Sequence, residues 1–373
     1  MKKLLIVTQV FHPEDFIIND IALYLSEFFE VTVITRAPAY PKGKLFKNYR
    51  NRFESTKWRE IRVLRYPIFL NYSENILSKI ANVFWQPLIV GLLVNRIKFD
   101  RLFVYQVGSI YDYSFIWGLK NKNRTSVIWS QDLWPEAAFE FGFLRLNFYQ
   151  NILHNATRKI LRKFSVVLVQ NRSFKKHYWD KYKIESKVVY NFSPAAKVKC
   201  GTDRSKFDSL VYAGNIGSAQ NLDEIISVFL KICSLDLGIR NLEVYGDGSA
   251  FKYIREKYKN NKNIYFHGMV SRREIEKALK NCRFVIFSLI EGTLRKTIPS
   301  RFQFYYNSNV PIIYVGDGAV SEELELHGGG ISLINLHSTN IRNVVSNFDS
   351  RIMETRDCYN KDEILKEIMD HIT

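Results

Sequence analysis

Cysteine is scarce: the 373 residues contain four, Cys200, Cys233, Cys282 and Cys358, far apart and without a CxxC pair. That spacing signals neither a zinc site nor a disulfide framework, and a reducing compartment fits it best. Acidic residues are also short, 37 against 54 Lys and Arg, leaving a formal net charge of +17. Such a surplus implies an anionic partner: nucleic acid, anionic lipid and phosphorylated substrates all qualify. The basic residues bunch at Arg158 to Lys163 and Arg172 to Lys183, each bunch either an anion-facing patch or a solvated face. No recognition motif interleaves with them, so nucleic acid is not expected as a partner.

Long apolar runs are missing as well. The longest, Phe84 to Val94, is broken by Gln86 and Pro87 and falls short of the roughly 20 residues that span a hydrocarbon core. Flanked by Lys79, Arg96 and Lys98, it reads either as a core helix or as a segment lying in a lipid interface. The start, Met1 to Thr8, is basic then apolar but lacks a small-residue cleavage site, which predicts a first buried strand. There is no HExxH, no DxD and no Ser/His/Asp spacing, so neither a metal site, a cofactor nor a hydrolase nucleophile is expected.

What the chain does have is alternation. Short β-branched or aromatic runs at Leu4 to Thr8, Val31 to Thr35, Arg62 to Tyr66, Arg101 to Tyr105, Ser126 to Trp129, Val166 to Gln170 and Lys187 to Tyr190 are separated by amphipathic stretches. Strand alternating with helix predicts an α/β fold with a parallel sheet covered on both faces. The pattern pauses near Ser193-Pro194 and restarts with runs ending at Gly214, Gly246, Gly268, Phe287 and Val315. We therefore expect an N-terminal Rossmann-like domain over 1–193, a linker over 194–206, a second such domain over 207–345 and a C-terminal helical segment over 346–373, for which packing back on the N-terminal domain is one option. Ligands of such sheets bind outside the carboxyl ends of the strands, so two facing domains predict a cleft between them.

Two turns in the second half suit phosphate. Tyr212-Ala213-Gly214-Asn215-Ile216-Gly217 leads from strand to helix, and its glycines let an anion approach backbone N–H groups. Thr297-Ile298-Pro299-Ser300-Arg301 opens another helix, with Pro299 suited to the first turn, Thr297 or Ser300 to the cap, and Lys296 and Arg301 supplying charge. A diphosphate is the candidate ligand. His267-Gly268-Met269 exposes backbone at a strand end where a base could stack; Asp247 reads as a helix cap or a sugar contact. In the first half, Trp129-Ser130-Gln131-Asp132-Leu133-Trp134-Pro135-Glu136 gathers carboxylates, an amide and tryptophans suited to a sugar, with Asp132 and Glu136 spaced for one helical face. The alternative there is a core Trp134 beside a capping Asp132. Glu291 follows a strand of the second half and could hold donor hydroxyls, and Phe16 to Asp20 lies in the first strand-to-helix loop, where an acceptor could bind.

These pieces in this order resemble the family-four retaining glycosyltransferases of the two-domain GT-B fold, in the branch similar to bacterial N-acetyl-fucosamine transferases of O-antigen and capsule assembly. The matching segments are Phe11-His12-Pro13-Glu14 with Ile18 to Ala22, Pro38 to Gly43, Gln131 to Glu136, Tyr212 to Leu222 and Thr297 to Arg301. The resemblance implies a sugar moved from a nucleotide diphosphate sugar, UDP-linked, to a polyprenyl-diphosphate-linked saccharide, with retention and without a metal. It implies a protein on the cytoplasmic face of the plasma membrane. It places the diphosphate at Gly214, Asn215, Gly217, Lys296, Thr297, Ser300 and Arg301, and the nucleoside at His267, Met269 and Gln303. The acceptor falls to Phe16, Asn19, Gln131 and Glu136, and the reacting centre to Asp132 and Glu291. The chain departs from the pattern at Phe304, where relatives commonly carry a ribose-binding Glu, and at Asn215 and Ser218, where many carry an Arg. Those departures suggest a rival, an inactive relative that binds nucleotide sugar or lipid as an assembly partner.

Overall fold

A computed structural model describes residues 1–41, 43–119, 125–140, 147–193, 198, 200, 204–334, 341–343, 345 and 359–373. Lys42, Cys358, most of the expected linker and 346–358 of the expected terminal segment lie outside the described residues. The chain divides into two compact units, Met1–Pro194 with Lys361–Thr373, and Ala195–Asn360.

The first unit is built on β1 (Lys3–Thr8), β2 (Glu30–Arg36), β3 (Glu54–Trp58), β4 (Ile61–Tyr66), β5 (Arg101–Gln106), β6 (Thr125–Ser130), β7 (Val166–Val169) and β8 (Lys187–Val188). They form one sheet in the order β3-β4-β2-β1-β5-β6-β7-β8. Every pair is parallel except β3 with β4. The antiparallel edge strand β3 escapes the apolar-run reading because its ESTKW sequence carries charge and hydroxyl groups and is half-exposed along its length. Central strands are the reverse: β1, β5 and β6 bury five residues in succession, as a strand covered on both faces must.

Around this sheet lie α1 (Ile17–Ser26), α2 (Ile76–Arg96), α3 (Glu136–Glu140), α4 (Asn147–Leu161) and α5 (Arg172–His177), with a 3₁₀ segment at Ile110–Gly118. Helix α2 starts earlier than its apolar run suggests, because the Asn75 side chain accepts from the N–H groups of Leu77 (2.9 Å) and Ser78 (3.4 Å) and so caps it. At 21 residues with a mean hydropathy of 1.5 it is long and apolar enough to cross a membrane, yet it packs on the 3₁₀ segment and β2 as part of the fold.

The second unit holds β9 (Ser209–Ala213), β10 (Asn241–Tyr245), β11 (Ile264–Gly268), β12 (Phe284–Ser288), β13 (Ile312–Val315) and β14 (Gly330–Leu333). All are parallel, in the order β11-β10-β9-β12-β13-β14. Its helices are α6 (Leu222–Ser234), α7 (Phe251–Lys257), α8 (Arg272–Lys280), α9 (Ser300–Asn307) and α10 (Ala319–His327). The chain then gives α11 (Lys361–Ile372) to the first unit, against α1, β5 and β6. Two Rossmann-like parallel-sheet units are thus what the alternation predicted.

Candidate functional site

In the second unit three neighbouring strands run into a glycine, Gly214 after β9, Gly246 after β10 and Gly268 as the last residue of β11. Gly214 N–H donates to the Tyr245 carbonyl (3.0 Å) and Gly246 N–H to that of Gly268 (2.8 Å), which stitches the ends of β9, β10 and β11 at one level. The join needs Gly246, since a Cβ there, at a φ of 128°, would sit 1.8 Å from the Gly214 carbonyl oxygen. Over these ends lies a pocket of about 510 Å³ lined by Gly214, Asn215, Tyr245, Met269, Arg301 and Phe304, with Asp247 and the apolar Val270 and Ile275.

The two phosphate-compatible turns meet in this pocket. A Cβ on Gly214 would lie 2.8 Å from the Arg301 Cζ, so the guanidinium occupies the space that the glycine leaves. Arg301 stands over the Tyr212 ring, 5.5 Å from its centroid, with Nη1 donating to the Tyr212 hydroxyl at 3.3 Å. That hydroxyl donates in turn to the Asn215 carbonyl, and Tyr305 donates to Ala213 O at 2.9 Å. Burial pushes the Tyr212 phenol up, with Arg301 opposing the shift.

Details at both turns differ from expectation. Pro299 is the N-cap of α9, not its first helical residue, and no side chain caps it. The Thr297 hydroxyl donates to the Leu294 carbonyl (2.6 Å), and Ser300 is exposed as the first helical residue. The uncapped end suits an anion better than the expected capped one. At the glycine turn the N–H groups of Gly214, Ile216 and Gly217 are engaged, that of Gly217 by Gln220 Oε1 at 3.1 Å. The turn therefore gives the pocket space for a guanidinium in place of free donors at those residues.

Other assigned residues are placed elsewhere. Gln303 is 1% exposed, its amide oriented to donate to the carbonyls of Pro299 (2.9 Å) and Ser300 (3.2 Å); the pocket takes its neighbour Phe304 instead. His267 pairs with Glu243, stacks on Tyr245 at 4.3 Å between centroids, and lines an adjoining recess under α8. Gly217, Lys296, Thr297 and Ser300 are not among the pocket-lining residues, and Glu291 is exposed, 3.5 Å from Arg295 Nη1. Asp247 Oδ1 accepts from Gly248 N–H (2.8 Å), while α7 begins at Phe251 with Ala250 as its N-cap and no side-chain cap, so Asp247 does not cap it. Tyr245, Val270 and Ile275 were missed; only a place at or just after a strand end marks the first two, and Ile275 lies within α8.

In the first unit the strand order reverses between β1 and β5, the switch point at which ligands of such sheets bind. Gly108 N–H donates to Asp132 Oδ2 at 2.7 Å, and Gln9 Nε2 donates to Asp112, a residue 2% exposed. Burial raises both carboxyls, that of Asp112 to about 8, with Arg36 pulling against it; the Gly108 bond opposes the rise at Asp132. Sequence reading missed Asp112, since nothing marks a lone Asp in an aromatic-rich stretch. Asp132 lies in the loop before α3, so it shares no helical face with Glu136.

The remaining first-unit assignments are held by their own surroundings. Glu136 Oε1 accepts from His177 Nε2 (2.7 Å) and the Tyr182 hydroxyl (2.8 Å); burial pushes this carboxyl up most strongly, but His177, together with the hydrogen bonds that the carboxylate accepts from the backbone and Tyr182, holds it below its ordinary value. Gln131 is 8% exposed, with Oε1 accepting from Asn191 Nδ2 at 2.7 Å. Asn19 pins its loop, accepting from His12 N–H (2.9 Å) and donating to Glu14 O (2.7 Å). Phe16 stands half-buried against Tyr40. Trp129 is fully buried against Tyr105 and offers no sugar platform, and Trp134 packs on the core.

No protein-family model matches the chain, and no curated protein matches it in sequence. Solved structures do match. The lipopolysaccharide outer core galactosyltransferase WaaB superposes with a TM-score of 0.65 at 12% identity, over 99% of this chain and 98% of that one. A trehalose-6-phosphate structure from E. coli, bound with UDP-2-fluoro glucose, gives 0.65 at 9% identity over 99% and 96%. Anabaena HepE in complex with UDP and glucose gives 0.61 at 12% over 99% and 99%. The chain has the GT-B glycosyltransferase fold.

Proposed function

We propose that this protein is a retaining, metal-independent glycosyltransferase of family-four type, moving a sugar from a UDP-linked donor to a polyprenyl-diphosphate-linked glycan. The pathway is bacterial surface polysaccharide assembly, in the branch similar to N-acetyl-fucosamine transferases, and the protein works on the inner face of the plasma membrane. The observation that carries the reading is the meeting at one pocket of Gly214 and Arg301, the second residue of the uncapped α9. A departing diphosphate gains negative charge, and a fixed guanidinium with the positive end of a helix stabilises that charge without reorganising. The apolar wall of Tyr245, Met269, Val270 and Phe304 suits a base and ribose face in place of a carboxylate on the ribose hydroxyls. UDP in the HepE structure and a UDP-sugar in the trehalose-6-phosphate structure support UDP as the nucleotide. The resemblance assigns the acceptor to the loops of the first unit, with Asp132 as its carboxylate.

Calorimetric titration with UDP and GDP, on the wild type and Arg301→Ala, tests the reading. Loss of a charge-assisted contact to phosphate is expected to weaken UDP roughly tenfold to a hundredfold. Unchanged affinity removes Arg301 from the site, and no binding of either nucleotide removes the site. Phe304 at the pocket favours one rival, binding without transfer. UDP that binds while no UDP- or GDP-sugar turns over, with or without lipid-linked acceptor, decides for that rival.

A further inference from the structure

Helix α2 is inverted relative to an ordinary surface helix. It buries Asn82 and Gln86 beside Ile89, Val90 and Val94, and Asn82 exchanges hydrogen bonds with the Phe69 backbone at 3.0 and 2.8 Å. Its outer face is apolar instead. Ile76, Ile80, Phe84, Leu88 and Leu92, one residue per four, are 47–73% exposed, a row about 24 Å long at 1.5 Å rise per residue. An amphipathic helix in water alone would be arranged the other way round, and a contiguous apolar row of this length marks an interaction surface. The 3₁₀ segment packed on α2 adds Trp117, 49% exposed, the residue type that favours a membrane interface.

The row runs into charge. At its carboxyl end a recess of about 350 Å³ is lined by Lys3, Arg62, Arg96 and Lys98, with Leu93 and Ile97 between them. Glu30 is the only carboxylate in the lining, 3.9 Å from Lys3, and Arg62, Arg96 and Lys98 make no ion pair among the described residues. Cations gathered without counter-charge repel one another until an anion joins them. Apolar lining beside cations matches one amphiphile, an acidic phospholipid, whose chains would continue the row and whose phosphate would enter the recess.

We propose that α2 lies in the interface of an anionic bilayer and that the recess of Lys3, Arg62, Arg96 and Lys98 is a site for the phosphate of an anionic lipid headgroup. The proposal rests on the membrane-surface part of the reading above and is independent of sugar transfer. The test is co-sedimentation of the full chain with vesicles of phosphatidylcholine alone or mixed with phosphatidylglycerol, alongside thermal melts in inorganic phosphate. We expect preference for the mixed vesicles, a fall in partition of roughly a hundredfold for Arg96→Glu with Lys98→Glu, and loss on both vesicle types for Phe84→Asp with Leu88→Asp. The melting temperature of the full chain should be unchanged in either variant, which shows that the first unit folds, and UDP affinity, set by the second unit, should be unchanged too. A wild type that sediments with neither vesicle overturns the membrane reading and this site together. Binding to mixed vesicles that survives the charge reversal overturns the headgroup site alone, and so does stabilisation by inorganic phosphate without vesicle binding, which would mark a site for free phosphate.

Discussion

Gly214 and Gly246 end adjacent strands, but a methyl group added to each meets different matter. At Gly214 it meets the far end of the Arg301 side chain at 2.8 Å, which can swing away; at Gly246 it meets backbone oxygen at 1.8 Å, which cannot. Gly214→Ala, strained at a φ of 152° but meeting a movable side chain, is therefore expected to lower the melting temperature less than Gly246→Ala and to lose UDP affinity as Arg301 is displaced. Gly246→Ala should lower the melting temperature of the second unit steeply, since strand-end backbone must move. Equal melting curves for the two variants would refute this account of the pocket. Asp112 offers a pH test. Its folded carboxyl titrates near 8, above the ordinary aspartate value, so between those two values the folded chain keeps a proton that the unfolded chain has released. Stability attached to this group is thus greatest at low pH, declines as pH rises through that window, and is flat above about 8, a loss on the order of a few kcal/mol. Asp112→Asn, which keeps an acceptor for Gln9, should flatten that decline in denaturant titrations at pH 5, 7 and 8.5; an unaltered slope would show that Asp112 is ionised in the fold. Arg301 and Gly214 were readable in the sequence because glycine after a strand and Arg after Pro-Ser have local meaning. The burial of Gln303 and Gln131 was not legible, because burial of an amide depends on what packs over it, which local pattern does not encode.

At the scale of elements, period and capping decide how much can be read. The buried central strands announce themselves as apolar runs, and α1 announces itself through Ile17, Ile18, Ile21, Ala22 and Leu25 on one face. Strand β3 does not, because an edge strand with a solvated face is written in Ser, Thr and Lys. Helix α2 was cut short at Phe84 because an apolar-run criterion ignores Asn75, whose cap lies nine residues upstream of that point. The start of α9 shows how function and local stability compete. Pro299 leaves this end without a side-chain cap, and the open N–H groups are the part that an anion would use. Pro299→Asp should supply the missing cap and a favourable charge for the helix dipole, so the melting temperature should hold or rise. It also puts a carboxylate where the proposal has a diphosphate, and UDP affinity should fall at least tenfold. Retained UDP binding in that variant would mean that the nucleotide approaches the pocket by another side.

For the whole molecule, the informative fact is that the chain returns to its first unit. Helix α11 buries Ile364, Leu365, Ile368 and Ile372 in the core cluster that holds Ile18 and Ile21 of α1 and Phe103 of β5. Polar contacts pin both of its ends, Lys361 Nζ on Asp20 at 2.8 Å and the Thr373 carbonyl on Arg101 Nη2 at 3.0 Å. The sequence shows an amphipathic helix here and offers a return to the first domain as one destination; what specifies that destination is the complementary apolar face of α1 and the adjoining sheet. Each of the four buried side chains is worth about 1.5–3 kcal/mol of transfer from water, and their sum is comparable to the whole stability of an ordinary domain. Removing residues 361–373 should therefore unfold or aggregate the first unit, although the deleted helix lies far along the chain from α1 and outside the nucleotide pocket. Because that pocket is lined wholly from the second unit, UDP binding should outlast the loss, visible as retained calorimetric affinity in whatever fraction stays soluble. A truncated chain that melts as the full chain does would show that α11 is dispensable packing; one that loses UDP affinity while keeping its melting temperature would place part of the nucleotide site on the first unit.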